Sequence, residues 1–234
     1  MDAEHYALLS KAWQRVRDDH AIRVAIVTGA GGRAFTVGYD LKSAAAGDVT
    51  GFADTWLTQK DQILNRGLEV WKPIISAISG YCLGGGVTLM LATDIRIADE
   101  SATFNTAEVK RGLVPGNGGT QRLIRQLPYP IAMEMLLTGD DMSVQDAARW
   151  GLINKVVPKG EALNEARKFA KRISVNAPLA VQAAKELAVR SRDVDLDTGL
   201  RMEVLVNRLL RETEDGKEGP RAFAEKRKPD FKGK

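Results

Sequence analysis

The chain has 234 residues, enough to bury most of its apolar surface in one large core, so a small scaffold held together by disulfides or metal is excluded. Hydrophobic residues at 44% and charged residues at 27% sit near globular values, excluding disorder and collagen, while two histidines (His5, His20) and one cysteine (Cys82) exclude an internal disulfide, Cys-x-x-Cys and HExxH metal sites and histidine-dependent triads. The net charge of +4 does not call for nucleic acid.

In chain order, Tyr6, Leu9, Trp13 and Val16 recur at spacings of three and four, predicting an amphipathic helix over 3–19. The β-branched run Ile22 to Val27 predicts a buried strand ending at Gly29-Ala30-Gly31-Gly32, with Phe35 to Asp40 irregular after it. Residues 51–71 read as a second helix through Phe52, Leu57, Ile63, Leu64 and Leu68, stopped by Lys72-Pro73. A strand from Ile74 to Ser79 enters the turn Gly80 to Gly86, a short apolar helix covers Val87 to Ala92, and Asp94 to Ala98 reads as a third strand. This alternation predicts parallel strands joined by right-handed crossovers. From Asn117 onward the pattern is helical over 118–127, 130–138, 143–150, 161–174, 178–191, 195–213 and 218–227, interrupted by a strand at Ile153 to Val157. The basic run 226–234 (Lys226, Arg227, Lys228, Lys232 and Lys234 against Asp230) reads as a solvated tail or as a receiver for a polyanionic small ligand. There is no secretory signal and no apolar run near the ~20 residues of a spanning helix, so a cytoplasmic protein with no membrane partner is expected.

Two glycine turns are candidates for chemistry. Thr28-Gly29-Ala30-Gly31-Gly32 after a strand invites a dinucleotide-binding reading, but Ala34 occupies the last glycine position and no helix pattern follows. Gly84-Gly85-Gly86 stands before a short helix, where unshielded N–H groups either hold an oxygen that gains negative charge or merely allow close packing.

The order of segments across the chain resembles the enoyl-CoA hydratase/isomerase (crotonase) superfamily. The matching stretches are Val24 to Gly29 with Arg33 to Lys42, Ile75 to Gly86, Ala92 to Ala98, Ala107-Glu108, Gly112 to Leu123 and Phe223 to Arg227. The resemblance implies an α/β fold: a crotonase-type spiral of ββα units over 1–175, then a C-terminal helical trimerisation region over 176–234, in a homotrimer or a hexamer made as a dimer of trimers. It further implies that Met1 starts at the helix that follows the family's opening hairpin. The substrate implied is a coenzyme A thioester, with no separate cofactor and no metal. Its enolate would be stabilised by the backbone N–H groups of Val37 and Gly85, with Glu108 as main acid/base. Arg33, Ala34, Phe35, Val37, Gly38, Asp40, Leu41, Lys42, Tyr81 and Gly84 match the segments around coenzyme A, and Phe223 and Lys226 would reach coenzyme A on a neighbouring subunit. Asn117 is read as approaching the acyl chain.

One departure bears on the reaction. Hydratases of the family carry two glutamates, and Thr88 stands at the first position while Glu108 fills the second. Threonine hydrogen-bonds but is no base near neutral pH, so Thr88 is read as lining the pocket and full-rate hydration is not expected. A single carboxylate suffices for 3-enoyl to 2-enoyl isomerisation, which ranks above a hydratase-lyase; a hydrolase, a decarboxylase and a non-catalytic acyl-CoA binder are the other readings. Cys82 reads as packing, Asp94 as structural.

Overall fold

The structure is a computed structural model that describes residues 1–40 and 63–234. Among the described residues the strands are β1 (Ala25–Thr28), β2 (Ala34–Thr36), β3 (Ile74–Ile78), β4 (Tyr81–Leu83), β5 (Ile95–Asp99), β6 (Thr103–Asn105), β7 (Met142–Ser143) and β8 (Lys155–Val157). The α-helices are α1 (Ala3–Asp18), α2 (Gly85–Met90), α3 (Gly119–Gln126), α4 (Tyr129–Thr138), α5 (Val144–Arg149), α6 (Ala162–Ser174), α7 (Pro178–Arg190), α8 (Leu196–Glu212) and α9 (Glu214–Ala224).

Strands β1 to β6 alternate between two sheets, ordered β1-β3-β5-β8 and β2-β4-β6-β7, and β7 and β8 then extend the second and the first. All pairs are parallel except β6 with β7. A turn such as β3-β4-α2 places one strand in the first sheet, one in the second, and then a helix, the expected ββα unit of the spiral.

Strand β3 shows how sequence sets the layers. All five of its residues are buried, and the two-residue period sends Ile74 and Ile78 into the main core with Cys82, Met90, Phe104 and Leu123. Ile75 and Ala77 point the other way and pack with Ile97, Val157 and the Ala162–Ala166 face of α6. A strand buried on both faces reads as a continuous apolar run, which is why it was legible. Asp94 is structural as expected: Oδ2 accepts from Ile74 N at 2.7 Å and pairs with Lys185 Nζ at 2.8 Å.

The far end of α2 is fixed by a buried cation. The Arg96 guanidinium donates to the carbonyls of Met90, Leu91, Thr93 and Leu152 and to Gln126, satisfying the carbonyls left open where α2 ends. Burial pushes its pKa down to about 10, still charged at neutral pH.

Three sequence expectations change. The helix expected over 51–71 falls partly outside the described residues, and from Ile63 on it is a 3₁₀ turn (Leu64–Arg66) closed by Gly67 at φ 95°, followed by an irregular segment. The stretch Phe35 to Asp40 is not wholly irregular, because β2 takes Ala34–Thr36 to pair with β4. The basic tail folds back rather than floating: Asp215 accepts from the N–H groups of Lys232 and Gly233 at 2.6 and 2.8 Å, and Glu218 binds Arg221, Arg227 and Asp230 N. Those donors hold the Glu218 carboxyl well below the usual carboxylate range. Among the described residues no helix is long and apolar enough to cross a membrane.

Candidate active site

The turn after β1 leads into strand β2, not into a helix, so it cannot aim a helix N-terminus at a pyrophosphate and the dinucleotide reading fails. The second glycine turn differs, because Gly85 opens α2. As first residue of that helix its N–H has no intrahelical acceptor and lies at the positive end of the dipole.

Parallel β2 and β4 leave the second sheet at the same end, which brings Val37-Gly38 against Gly84-Gly85. The approach is backbone to backbone: a Cβ on Gly38 would stand 2.7 Å from Gly85 N, and Gly38 has φ 87°. Val37 is 58% exposed and lines the cleft.

Glu108 enters from the next connection. β6 pairs beside β4, and Gly84 N donates to Asn105 O at 2.9 Å, so the 3₁₀ segment Ala107–Arg111 starts next to the glycine turn. A Cβ on Gly84 would lie 3.1 Å from Glu108 Oε1. The carboxylate therefore packs directly on glycine backbone. Oε2 is buried and has no hydrogen-bond partner. Burial raises the Glu108 pKa, opposed by hydrogen bonding to its own backbone and by Arg111. A buried, unsatisfied carboxylate oxygen is costly unless it serves a ligand or water.

Thr88 is buried, 1% exposed, one turn into α2. Its Oγ1 donates to Gly85 O at 3.1 Å and accepts from Asn65 Nδ2 at 3.2 Å. The hydroxyl proton thus goes to the backbone and one lone pair to Asn65. Asn65 Oδ1 is buried without a partner. Sequence reading missed Asn65, because it lies in a segment read as helix and touches Thr88 only across 23 residues of chain. Cys82 packs in the core, where burial pushes its thiol pKa up.

These groups line one cleft of about 710 Å³, with Val37, Gly38, Asp40, Gly84, Gly85, Thr88 and Glu108 meeting there. Tyr6 from α1 and Arg111, Leu113 and Asn117 are among the other lining residues, and of these four only Asn117 was anticipated. Arg33, Ala34, Phe35, Tyr81, Phe223 and Lys226 are not brought to this cleft. Arg33 lies exposed before β2, Phe35 is in the core, Tyr81 is half exposed on β4, and Phe223 is 87% exposed near the end of α9. Leu41 and Lys42 lie outside the described residues.

Known proteins are similar along the whole length. The family described as enoyl-CoA hydratase/isomerase matches residues 1–234. The (E)-benzylidenesuccinyl-CoA hydratase of Thauera aromatica is 44% identical over 233 residues, covering 100% of this chain and 90% of that protein. The carnitinyl-CoA dehydratase of Proteus mirabilis is 42% identical over 246 residues, with the same coverage. Among solved structures, the enoyl-CoA hydratase of Mycobacterium tuberculosis superposes with a TM-score of 0.90 at 38% identity, again covering 100% and 90%. Sequence and backbone agree from end to end, and the chain belongs to the enoyl-CoA hydratase/isomerase family as one of its enzymes.

Proposed function

We propose that the chain adds water reversibly across the α,β double bond of an acyl-CoA thioester, with Glu108 as the single acid/base. The observation that carries this reading is the buried Glu108 Oε2, unpartnered and packed beside the junction of Val37-Gly38 with Gly84-Gly85. The thioester oxygen accepts from Val37 N–H and Gly85 N–H, donors that strengthen as charge develops on it. Glu108 takes a proton from water as the water oxygen bonds to Cβ. The π electrons move onto the thioester as an enolate, and the protonated Glu108 returns that proton to Cα. One water is consumed and the carboxylate is regenerated; dehydration is the reverse. A raised pKa suits a group that must both take and give a proton near neutral pH. The names of the Thauera and Proteus relatives support a hydratase or dehydratase.

Double-bond isomerisation is the second reading, favoured by the Thr88 hydroxyl being committed to Gly85 O and Asn65. It needs the same enolate and only one carboxylate. For coenzyme A, the segment Arg33 to Lys42 is the proposed cradle, Phe35 contributing backbone, with Tyr81 beside it. The exposed Phe223 supports a role with Lys226 across a subunit boundary. Exposed Leu196, Leu200, Val204, Leu205 and Leu209 on α8 support homotrimer or hexamer assembly through the C-terminal helices.

Mass spectrometry of mixtures with 2-enoyl-, 3-enoyl- and 3-hydroxyacyl-CoA thioesters tests the reaction. Formation of 3-hydroxyacyl-CoA from at least one 2-enoyl-CoA is expected, and inertness of all three classes overturns the reading. Thr88→Glu supplies a second carboxylate. Crotonyl-CoA hydration is then expected to rise on the order of tenfold, and an unchanged rate means that position does not see the water.

A further inference from the structure

We propose that Arg66 ends the acyl pocket and selects thioesters whose acyl group carries a second carboxylate; this rests on the acyl-CoA reading above. Its Nε donates to Asn117 Oδ1, and its guanidinium carbon lies 5.7 Å from the centre of the Tyr6 ring. Tyr6 and Asn117 both line the cleft, and Arg66 stands exposed behind them rather than in the lining itself. With Nε committed and the guanidinium carbon over an aromatic ring, the edge made by Nη1 and Nη2 is left for a planar bidentate acceptor, which is the geometry of a carboxylate. Among the described residues Arg66 forms no ion pair.

The support behind Arg66 is built, not incidental. Asn117 sits at φ 51°, a left-handed conformation uncommon for any residue but glycine and best tolerated by asparagine and aspartate. Arg122 Nη1 holds it there, donating to Asn117 O at 3.0 Å and to Asn65 O at 3.2 Å. One half-buried donor thus ties Asn117 to the residue preceding Arg66, fixing the pair that orients the guanidinium.

The position follows from the proposed chemistry. With the thioester oxygen at Val37 and Gly85, and Glu108 beside Cα and Cβ, Leu113, Gly116 and Asn117 are left to line the acyl part of the same cleft. The distal end of the acyl chain therefore runs toward Arg66. Other charges on the cleft have partners: the Met1 ammonium with Gly38 O, Asp2 with His5, and Arg111 with Ala107 O and, through its charge, Glu108. Among the described residues, Arg66 is the cation placed to meet an anionic acyl end.

Saturated thioesters read this without turnover. By calorimetry the wild-type protein should bind glutaryl-CoA roughly tenfold or more tighter than valeryl-CoA, or adipyl-CoA than hexanoyl-CoA, the range of one charge-assisted hydrogen-bonded contact. Arg66→Gln should bring both ratios to about one. Asn117→Asp, which keeps the left-handed position and sets a carboxylate against Nε, should lower them while retaining the arginine. Ratios of one in the wild type overturn the proposal, as does Arg66→Gln weakening both members of each pair equally, which would place the guanidinium on coenzyme A. A protein inert toward every enoyl-CoA that keeps the Arg66-dependent ratios loses only the reaction assignment. An active hydratase with ratios of one loses only this selectivity.

Discussion

Glu108→Gln is expected to lower turnover of the preferred enoyl-CoA by roughly a hundred- to ten-thousandfold, the usual cost of removing a positioned acid/base. Glutamine keeps the shape that packs on Gly84 but cannot accept the proton of water, so the loss should fall on kcat with KM little changed. Burial raises the Glu108 pKa, so the wild-type rate should climb with pH through a value above the ordinary glutamate range, and that limb should vanish in the variant. An equal loss in KM alone would make Glu108 a binding group and sink its role as base.

The same shift carries a stability prediction of definite sign. Between the unfolded pKa of Glu108 and its raised folded pKa, the native state binds more protons than the unfolded state, so stability falls as pH rises through that window. Above it the buried charge is a constant penalty. Glu108→Gln removes that penalty, so the variant should melt higher than wild type at neutral pH, and the gap should close in acid. Thermal melts at neutral and acid pH check both signs; a variant that melts lower at neutral pH would mean the carboxylate is held by favourable contacts.

Much of the fold was legible because its signals are local. The run Ile74 to Ile78 is apolar on both faces, and α6 to α8 carry sustained helical periodicity, so their positions hold to within a few residues. The second sheet was not legible. Strands β4, β6 and β7 have three, three and two residues, too short for a two-residue period to show, and their pairing partners are distant in the chain. The glycine turn marked 84–86 as a candidate and the family resemblance singled out Gly85 and Glu108, but the contact of Glu108 with Gly84 depends on that hidden sheet. Asn65 and Arg66 were lost for another reason. A helix pattern broken by Gly67 at positive φ becomes a single 3₁₀ turn, and what its side chains touch is decided by tertiary packing.

Gly38→Ala is the second large effect, and it tests the proposed oxyanion hole without touching a side chain. The added Cβ would stand 2.7 Å from Gly85 N and 3.2 Å from Leu83 O, both backbone atoms that no rotamer change can move aside. Alanine at φ 87° is also strained, at a cost of about 1–3 kcal/mol. The strain relaxes by pushing the Val37-Gly38 strand exit away from Gly85, which separates the two N–H donors. Losing one such donor costs roughly a hundred- to a thousandfold in kcat. The expected pattern is therefore a lower melting temperature together with a kcat loss of at least a hundredfold under conditions where the variant is fully folded. Gly32→Ala is the matched control: it has φ 69° but nothing within 4 Å of the added Cβ, so it should destabilise by similar strain while sparing kcat. If both variants lose stability and neither loses turnover, the junction of Val37-Gly38 with Gly84-Gly85 supports the fold and the thioester oxygen is held elsewhere.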